Sequence, residues 1–244
     1  MVMINSALFK KYYPDDSKDG TLLFYTWMRS YAQPEFIVLN IGAGPSCDNK
    51  IRSLKGEVQK VIGVDIDEEA LNNEDLDEAF IIKNDTFPFE DDTFDFAWAD
   101  YVFEHIEKPN IFLEEIFRVM KPGAPVFFRT PNKNHYVSLV SRLTPHWVHQ
   151  VIANKARGLS LKSRDPYPTF YRLNSRKEIE KYANLTRFMD IELRFMEAEP
   201  SYLMFHPMAF MGGVLYERTV NRFSGLSCIR ANILGKLTKI KTRV

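Results

Sequence analysis

The feature that most constrains the fold is an alternation of short apolar runs with helix-compatible segments through the first half of the chain. Apolar runs that lead directly into glycine or polar residues are typical of strands buried in a parallel sheet. The predicted strands cover residues 36–42, 60–66, 79–84, 94–101 and 125–130. The predicted helical segments cover residues 19–33, 47–55, 68–79 and 110–120. This order predicts an α/β fold with a doubly wound, mostly parallel sheet, whose ligands bind beyond the carboxyl ends of the strands.

The second half of the chain is less regular. Residues 131–174 combine prolines with aromatic and basic residues, which is typical of an inserted cap rather than of a continuing sheet. Ser175 and Glu178 form a capping-box pattern that opens a further helix. Residues 189–197 alternate as a strand does, and residues 207–240 are predicted to be helical and amphipathic.

These patterns divide the chain into five segments. They are an N-terminal helical lid over 1–34, a ligand-binding core over 35–132, an acceptor-site cap over 133–174, the remaining helix and strand of the core over 175–200, and a basic amphipathic extension over 201–244. The helix over 110–120 is expected to be capped by Asn110.

The formal charges of the chain sum to zero, so nothing global favours nucleic acid as a partner. Their distribution is uneven, however. Residues 68–95 hold eleven acidic residues and one basic residue, whereas 201–244 hold seven basic residues and one acidic residue. The basic end suits phosphates or anionic lipid head groups, so peripheral membrane contact through 202–244 is one hypothesis. A solvated helix face, a core helix or a homodimer face explains the same pattern.

The two cysteines, Cys47 and Cys228, lie far apart and lack the spacing of metal ligands, which favours a reducing compartment. The first residues show no apolar core and no cleavage pattern of a secretion signal. No apolar run reaches the roughly 18 residues that a membrane-spanning helix needs. We therefore expect a cytoplasmic protein, with the inner face of the membrane as an alternative position.

A glycine turn follows the first predicted strand. The residues of interest at this turn are Asn40, Gly42, Ala43 and Gly44. Glycine there lets the backbone turn sharply and approach a ligand closely. Alone this motif is weak, because a tight strand-to-helix turn needs glycine even without a ligand.

Polar side chains at the next two strand ends strengthen the case for a ligand. Asp65 lies 21 residues after Gly44, where a carboxylate can accept both hydroxyl hydrogens of a ribose. The competing role, a helix cap, fits Asp67 better. Asn84 and Asp85 end the third strand, where they can read an adenine edge or simply form a turn.

Together these motifs resemble those of class I S-adenosylmethionine-dependent methyltransferases, which have a Rossmann-like fold. VLNIGAGPS is similar to the first motif of that family, GVDID to its second, and NDTFPFEDDTFDFAWADYVFEHI to its third and fourth. The helix and fifth strand that follow are represented by FLEEIFRVMKPGAPVFFRTPN. The resemblance covers about residues 35–132 and implies a transferase with S-adenosylmethionine as its cofactor.

The resemblance also implies a set of cofactor-binding residues. They are Asn40, Gly42, Ala43, Gly44, Asp65, Ile66, Asn84, Asp85, Thr86 and Asp100. The glycine turn would bear the methionine part of the cofactor, Asp65 the ribose hydroxyls, and the loop at Asp85 the adenine. Ile66 would pack on the adenine, and Asp100 would line the methionine end.

Two positions depart from the family pattern. Asn40 stands where the family usually has an acid, so its hydrogen bond to the cofactor's amino group lacks charge assistance. Pro45 and Ser46 replace the usual Thr/Ser-Gly. We expect cofactor binding to survive both changes.

Methyl transfer needs few protein groups, because the sulfonium is already an activated donor and the protein mainly aligns the acceptor with it. A hydroxyl acceptor also needs a base, and histidine suits that role at neutral pH. The candidate catalytic residues are His105, after the fourth strand, and His135, after the fifth. Packing under the acceptor loop is the alternative for His105, and an exposed loop position is the alternative for His135.

A metal is not predicted at this site. Glu104 and His105 are similar to a metal-binding pair in ubiquinone-type O-methyltransferases. Those enzymes have a further acid three residues before the glutamate, where this chain has Tyr101.

The acceptor is expected to lie against Tyr136, Tyr171 and Arg172, whose flat apolar surfaces and polar tips suit sugars and aromatic rings alike. The second half resembles bacterial methyltransferases associated with surface polysaccharides, in TPN at 130–132 and PTFYRLN at 168–174. That resemblance implies a small-molecule or glycan acceptor, namely a sugar or lipid-linked sugar hydroxyl.

Other functions stay open at this point. They include O- or C-methylation of a phenol or quinone precursor and a non-catalytic scaffold that binds S-adenosylmethionine. A nicotinamide-dependent oxidoreductase is disfavoured, because Cys47 stands at the third glycine of its G-x-G-x-x-G fingerprint.

Overall fold

The computed structural model describes residues 6–47, 49–143 and 167–240. Residues 144–166, which hold half of the predicted cap, lie outside the described part. The chain forms two compact units. The helical unit comprises Met1–Leu23, Pro131–Pro168 and Phe195–Asn232, and the sheet unit comprises Phe24–Thr130, Thr169–Arg194 and Ile233–Val244.

A seven-stranded sheet organises the fold. Its strands are β1 (Ile37–Ile41), β2 (Lys60–Asp65), β3 (Glu78–Ile81), β4 (Phe96–Asp100), β5 (Pro125–Pro131), β6 (Phe188–Met196) and β7 (Asn232–Lys239). They lie in the order β3-β2-β1-β4-β5-β7-β6. β1 pairs in parallel with β2 and with β4, β2 with β3, and β4 with β5. The predicted doubly wound, mostly parallel sheet is therefore confirmed, and its order reverses between β1 and β4.

β7 runs antiparallel to β5. At one end, the Lys239 amide donates to the Ala124 carbonyl at 3.0 Å. At the other end, the Asn132 amide donates to the Ala231 carbonyl at 2.7 Å. Partners that move in opposite directions along the two strands define an antiparallel ladder.

The described helices have the following bounds. They are α1 (Ser6–Tyr12), α2 (Gly20–Arg29), α3 (Pro109–Val119), α4 (Tyr136–Leu143), α5 (Arg176–Leu185) and α6 (Pro207–Arg222). The capping box of α5 is confirmed, because the Ser175 hydroxyl accepts from the Glu178 amide. The predicted cap of α3 is wrong: the helix begins at Pro109, which needs no amide partner at that position, so Asn110 lies inside the helix.

The segments after β1 and β2 are less helical than predicted. Of the described residues in 47–55, Lys50–Arg52 form a 3₁₀ turn. In 68–79, Glu68–Asn72 form another before β3 begins at Glu78. Arg29 explains the first difference, because its guanidinium binds the carbonyls of Ile51 and Ser53 that a longer helix would use. Asp67 caps the second turn by accepting from the Glu69 amide, the role expected of it.

The prediction of helix over 207–240 is correct only in its first part. α6 ends at Arg222, and 232–239 form β7 inside the sheet. Gly235 makes this position possible. A Cβ at that residue would lie 2.0 Å from the Phe128 ring, so the strand approaches β5 more closely than any side chain allows.

The helical unit packs α1 against α6 through Tyr13, Phe210 and Val214. Glu217 of α6 is buried, and Lys18 pairs with its carboxylate at 3.4 Å. Asn221 also donates to this carboxylate at 2.6 Å. The charge inside this unit is thereby compensated. In the part of the chain that the structure describes, no helix is long and apolar enough to cross a membrane.

Candidate active site

The glycine turn lies at the carboxyl end of β1. Gly42 and Gly44 have φ of 69° and 56°, in the left-handed region that favours glycine. The amides of Gly42 and Ala43 both donate to the Val64 carbonyl, at 2.8 and 3.2 Å. A Cβ on Gly42 would lie 2.3 Å from Val102 Cγ2, so only glycine fits there.

Asp65 ends β2 beside this turn, as the sequence predicts. One carboxylate oxygen accepts from the Gly44 amide at 2.8 Å, and the other accepts from the Asp67 amide at 2.9 Å. These two bonds fix the orientation of the carboxylate. Each oxygen keeps acceptor capacity toward a ligand, since a carboxylate has about four lone-pair sites.

Asn73 holds the far side of the turn, and sequence reasoning missed it. Its buried amide group donates to the carbonyls of Ala43 and Gly44, at 3.2 and 2.9 Å. Its own oxygen accepts from the Asp75 amide at 2.8 Å and lies 3.2 Å from the Ser46 hydroxyl. Ser46, one of the departures from the family pattern, therefore helps to anchor the turn. No local pattern identifies Asn73, because its partners lie about 30 residues earlier.

The loop after β3 contains Asn84 and Asp85 in left-handed conformation, with φ of 55° and 59°. Asp85 pairs with Lys108 at 2.9 Å, and both side chains are more than half exposed. Ile66, beyond β2, leaves 64% of its surface exposed. The structure thus presents an apolar side chain and an accessible carboxylate at two neighbouring strand ends, where cofactor contacts are predicted. The Thr86 hydroxyl of the same loop donates to the Asn84 carbonyl at 3.3 Å.

Asp100 lies at the end of β4, and its carboxylate is held by a set of partners within the sheet unit. Both of its oxygens bind the buried guanidinium of Arg129, at 2.6 and 2.7 Å. The Tyr25 hydroxyl also donates to one of them at 3.2 Å. Burial, and then the charge of Asp100, raises the pKa of Tyr25 well above its usual range. Asp100 is therefore the acceptor of a buried hydrogen-bond network. The Arg129 guanidinium also stacks on the Tyr101 ring, 4.6 Å from its centroid.

Glu104 lies in the 3₁₀ turn after β4 and is only 5% exposed. Burial raises the pKa of its carboxyl to about 7. The Thr130 hydroxyl donates to the carboxylate at 3.2 Å and accepts from the Asn174 amide at 2.7 Å. His105 follows in the same turn and is half-buried.

The segment with Tyr171 and Arg172 packs on this turn. The amides of Phe170 and Tyr171 donate to the Glu104 carbonyl, at 2.7 and 3.2 Å. Arg172 binds the Glu107 carbonyl. The sheet unit therefore brings two of the predicted acceptor contacts to the loop that bears His105.

His135 and Tyr136 lie in the helical unit. His135 is 4% exposed, so the alternative of an exposed loop histidine is wrong. Its Nε2 lies 3.3 Å from a carboxylate oxygen of Glu197, and its ring is 4.1 Å from that of Tyr136. Burial, and then the charge of Glu197, raises the pKa of Tyr136 to about 12.

No metal centre is evident among the residues that the structure describes, because none of them form a cluster of three or more histidine, cysteine, aspartate or glutamate side chains. Glu104 directs its carboxylate to Thr130 instead.

Comparisons with known proteins agree with the fold. Residues 39–128 match the model of the methyltransferase domain family. Comparison with curated proteins gives no match. Among solved structures, a chain from a complex between the Haloferax volcanii Trm112 methyltransferase activator and a methyltransferase is 17% identical, with a TM-score of 0.58 over 98% of this chain and 96% of that one.

Two further solved structures are similar. An S-adenosylmethionine-dependent methyltransferase from Archaeoglobus fulgidus is 15% identical, with a TM-score of 0.57 over 97% of this chain and 100% of that one. Phosphoethanolamine N-methyltransferase 2 of Haemonchus contortus, with S-adenosylhomocysteine bound, is 16% identical, with a TM-score of 0.53 over 97% of this chain and 57% of that one.

The strand order, the glycine turn and the domain match define the class: this chain carries a methyltransferase domain of the class I fold. The cofactor of the domain is S-adenosylmethionine.

Proposed function

We propose that this chain transfers the methyl group of S-adenosylmethionine to a hydroxyl of a small acceptor, a sugar or a lipid-linked sugar. The observation that carries the cofactor part is the contact between Asp65 and the Gly44 amide at 2.8 Å. This contact joins a carboxylate suited to a ribose diol to the turn that would bear the methionine.

The remaining cofactor contacts follow the strand ends. Asn40 and the turn 42–44 hold the methionine, Ile66 covers the adenine, and Asp85 with its neighbours Asn84 and Thr86 reads the adenine edge. Asp100 lines the methionine end, where Arg129 and Tyr25 fix the orientation of its carboxylate.

His105 is our candidate for the base that accepts the hydroxyl proton. It is half-buried on the turn that Tyr171 and Arg172 pack against, so an acceptor held by those side chains can reach it. His135 is buried against Glu197 and suits a positioning role for Tyr136.

The cofactor assignment is tested by calorimetry with S-adenosylmethionine. D65N should weaken binding about 10- to 100-fold, because two hydrogen bonds to a charged group lose their charge. D67N is the matched control, since Asp67 stands two residues away and caps a 3₁₀ turn. Equal affinity of D65N and the wild type would remove the ribose assignment.

The acceptor is tested by transfer of a labelled methyl group into a cell extract that is then separated into lipid-linked and soluble pools. The proposal is supported if the wild type labels a glycan fraction and H105Q does not, while H105Q still binds the cofactor. Label confined to phenolic or quinone products contradicts the sugar acceptor, and a chelator then tests whether a metal assists.

A further inference from the structure

The outward face of α6 is apolar over its first half. Met208, Met211 and Leu215 are 79%, 38% and 70% exposed, and their spacing of three and four residues places them on one side of the helix. Phe205, just before the helix, is 44% exposed. The opposite side packs into the helical unit through residues such as Phe210. The helix therefore has two apolar faces, and only one of them belongs to the core.

The same outward face becomes basic in its second half. Arg218 and Arg222 continue the line of Met211 and Leu215 and are exposed. The acidic residue of this helix, Glu217, is 1% exposed and pairs with Lys18 at 3.4 Å and with Arg218 at 3.3 Å, so these three side chains together keep one positive charge.

α1 adds further positive charge at this end of α6. Arg218 donates to the Tyr12 carbonyl at 2.8 Å, which joins the end of α1 to the basic half of α6. Lys10 and Lys11, in the last turn of α1, are exposed. Four cations thus border an exposed stripe of large apolar side chains.

We propose that this face of α6, from Phe205 to Arg222, docks on an anionic lipid bilayer. The apolar stripe would enter the boundary between head groups and acyl chains, and the cations would meet lipid phosphates. Charge complementarity favours an anionic bilayer as the partner, because the exposed side of α6 carries cations and no carboxylate. The surface is narrower than the segment 202–244, since β7 lies inside the sheet. The inference goes beyond methyl transfer and does not depend on the acceptor.

The test is co-sedimentation of the full chain with vesicles of phosphatidylglycerol and phosphatidylcholine, compared with vesicles of phosphatidylcholine alone. The wild type should bind the anionic vesicles and dissociate from them as the salt concentration is raised. L215Q should weaken this binding about tenfold, which corresponds to keeping most of one leucine side chain in water. R222Q should weaken it about fivefold, the usual effect of one cation near such a surface.

Matched controls come from α5. Leu185 is 65% exposed and Lys177 is also exposed, so L185Q and K177Q change the same kinds of side chain elsewhere on the surface. Both should bind vesicles as the wild type does. All four variants should keep their affinity for S-adenosylmethionine, which separates a failure of docking from a failure of the proposed function.

Three outcomes with vesicles overturn the proposal. They are failure of the wild type to sediment with anionic vesicles, equal losses in the α5 controls, and binding that does not distinguish anionic from neutral vesicles. A wild-type dimer in light scattering that L215Q converts to a monomer would assign the face to a second copy of the chain instead.

Discussion

Replacing Asn73 by aspartate tests how the glycine turn is held. N73D keeps the side-chain shape and the oxygen that accepts from the Asp75 amide. It replaces the amide group that donates to the carbonyls of Ala43 and Gly44 by a second oxygen. At neutral pH, two carbonyl oxygens then face a carboxylate inside a site that is only 9% exposed.

The expected loss can be worked from these bonds. Each hydrogen bond contributes about 1 kcal/mol net, so losing two costs about 2 kcal/mol before any repulsion is counted. Because a protonated carboxyl restores one of the two donors, about 1 kcal/mol of this cost appears as a rise of roughly 0.7 in the pKa of the introduced carboxyl. A carboxyl whose folded-state pKa is raised destabilises the fold above that pKa and not below its unfolded pKa. The penalty should therefore be full at pH 7 and fall to about half near pH 3, where the carboxyl is protonated in both states.

The measurement is urea unfolding of N73D and the wild type across this pH range, with the difference in free energy of unfolding as the readout. N72D is the matched control, because Asn72 is exposed at the end of the 3₁₀ turn directly before Asn73 and receives the same added charge. A penalty in N73D no larger than that in N72D, or one that grows as the pH falls, would refute the reasoning. Calorimetry should show weaker S-adenosylmethionine binding by N73D at pH 7.

Three other substitutions probe the site. G42A should cost about 1–3 kcal/mol of stability and more than tenfold in cofactor affinity by calorimetry, since the added Cβ meets Val102 and the left-handed φ disfavours alanine. Unchanged affinity would contradict this. Glu104 has a raised pKa of about 7, so its stability contribution should fall by about 3 kcal/mol as the pH rises from about 4.5 to 7. In urea unfolding, the free energy of unfolding of E104Q should fall less over this pH range than that of the wild type. Identical pH profiles of the two proteins would contradict this prediction. R129M should destabilise by about 3–5 kcal/mol, because it leaves the Asp100 carboxylate buried without its cation, and a loss below about 1 kcal/mol in the same assay would argue otherwise.

The glycine turn and the position of Asp65 could be predicted because their signals are local. A buried strand, glycines and an acid at the next strand end lie within one crossover unit. The cap of α5 was equally readable, since Ser175 and Glu178 are three residues apart.

Other parts of the site could not be predicted, because they depend on contacts between distant residues. Asn73 bonds to the glycine turn across about 30 residues of sequence, and Arg129 bonds to Asp100 across 29 residues. Gly235 lies inside the predicted helix, and only the nearby Phe128 ring explains why glycine is needed there. The helix predicted over 47–55 competes with bonds from the Arg29 guanidinium to the carbonyls of Ile51 and Ser53, and helical propensity carries no information on such a contact.

The position of β7 also has a consequence for the order in which the sheet forms. β6 precedes β7 in the sequence but lies outside it, so β6 has no strand to join until β7 has paired with β5. The part of the chain that leaves the ribosome before β7 therefore carries an incomplete sheet, with the β5 edge open. An open edge invites pairing with other chains. Aggregation during synthesis should accordingly be more sensitive to changes in β7 than to changes in β3, at the opposite end of the sheet.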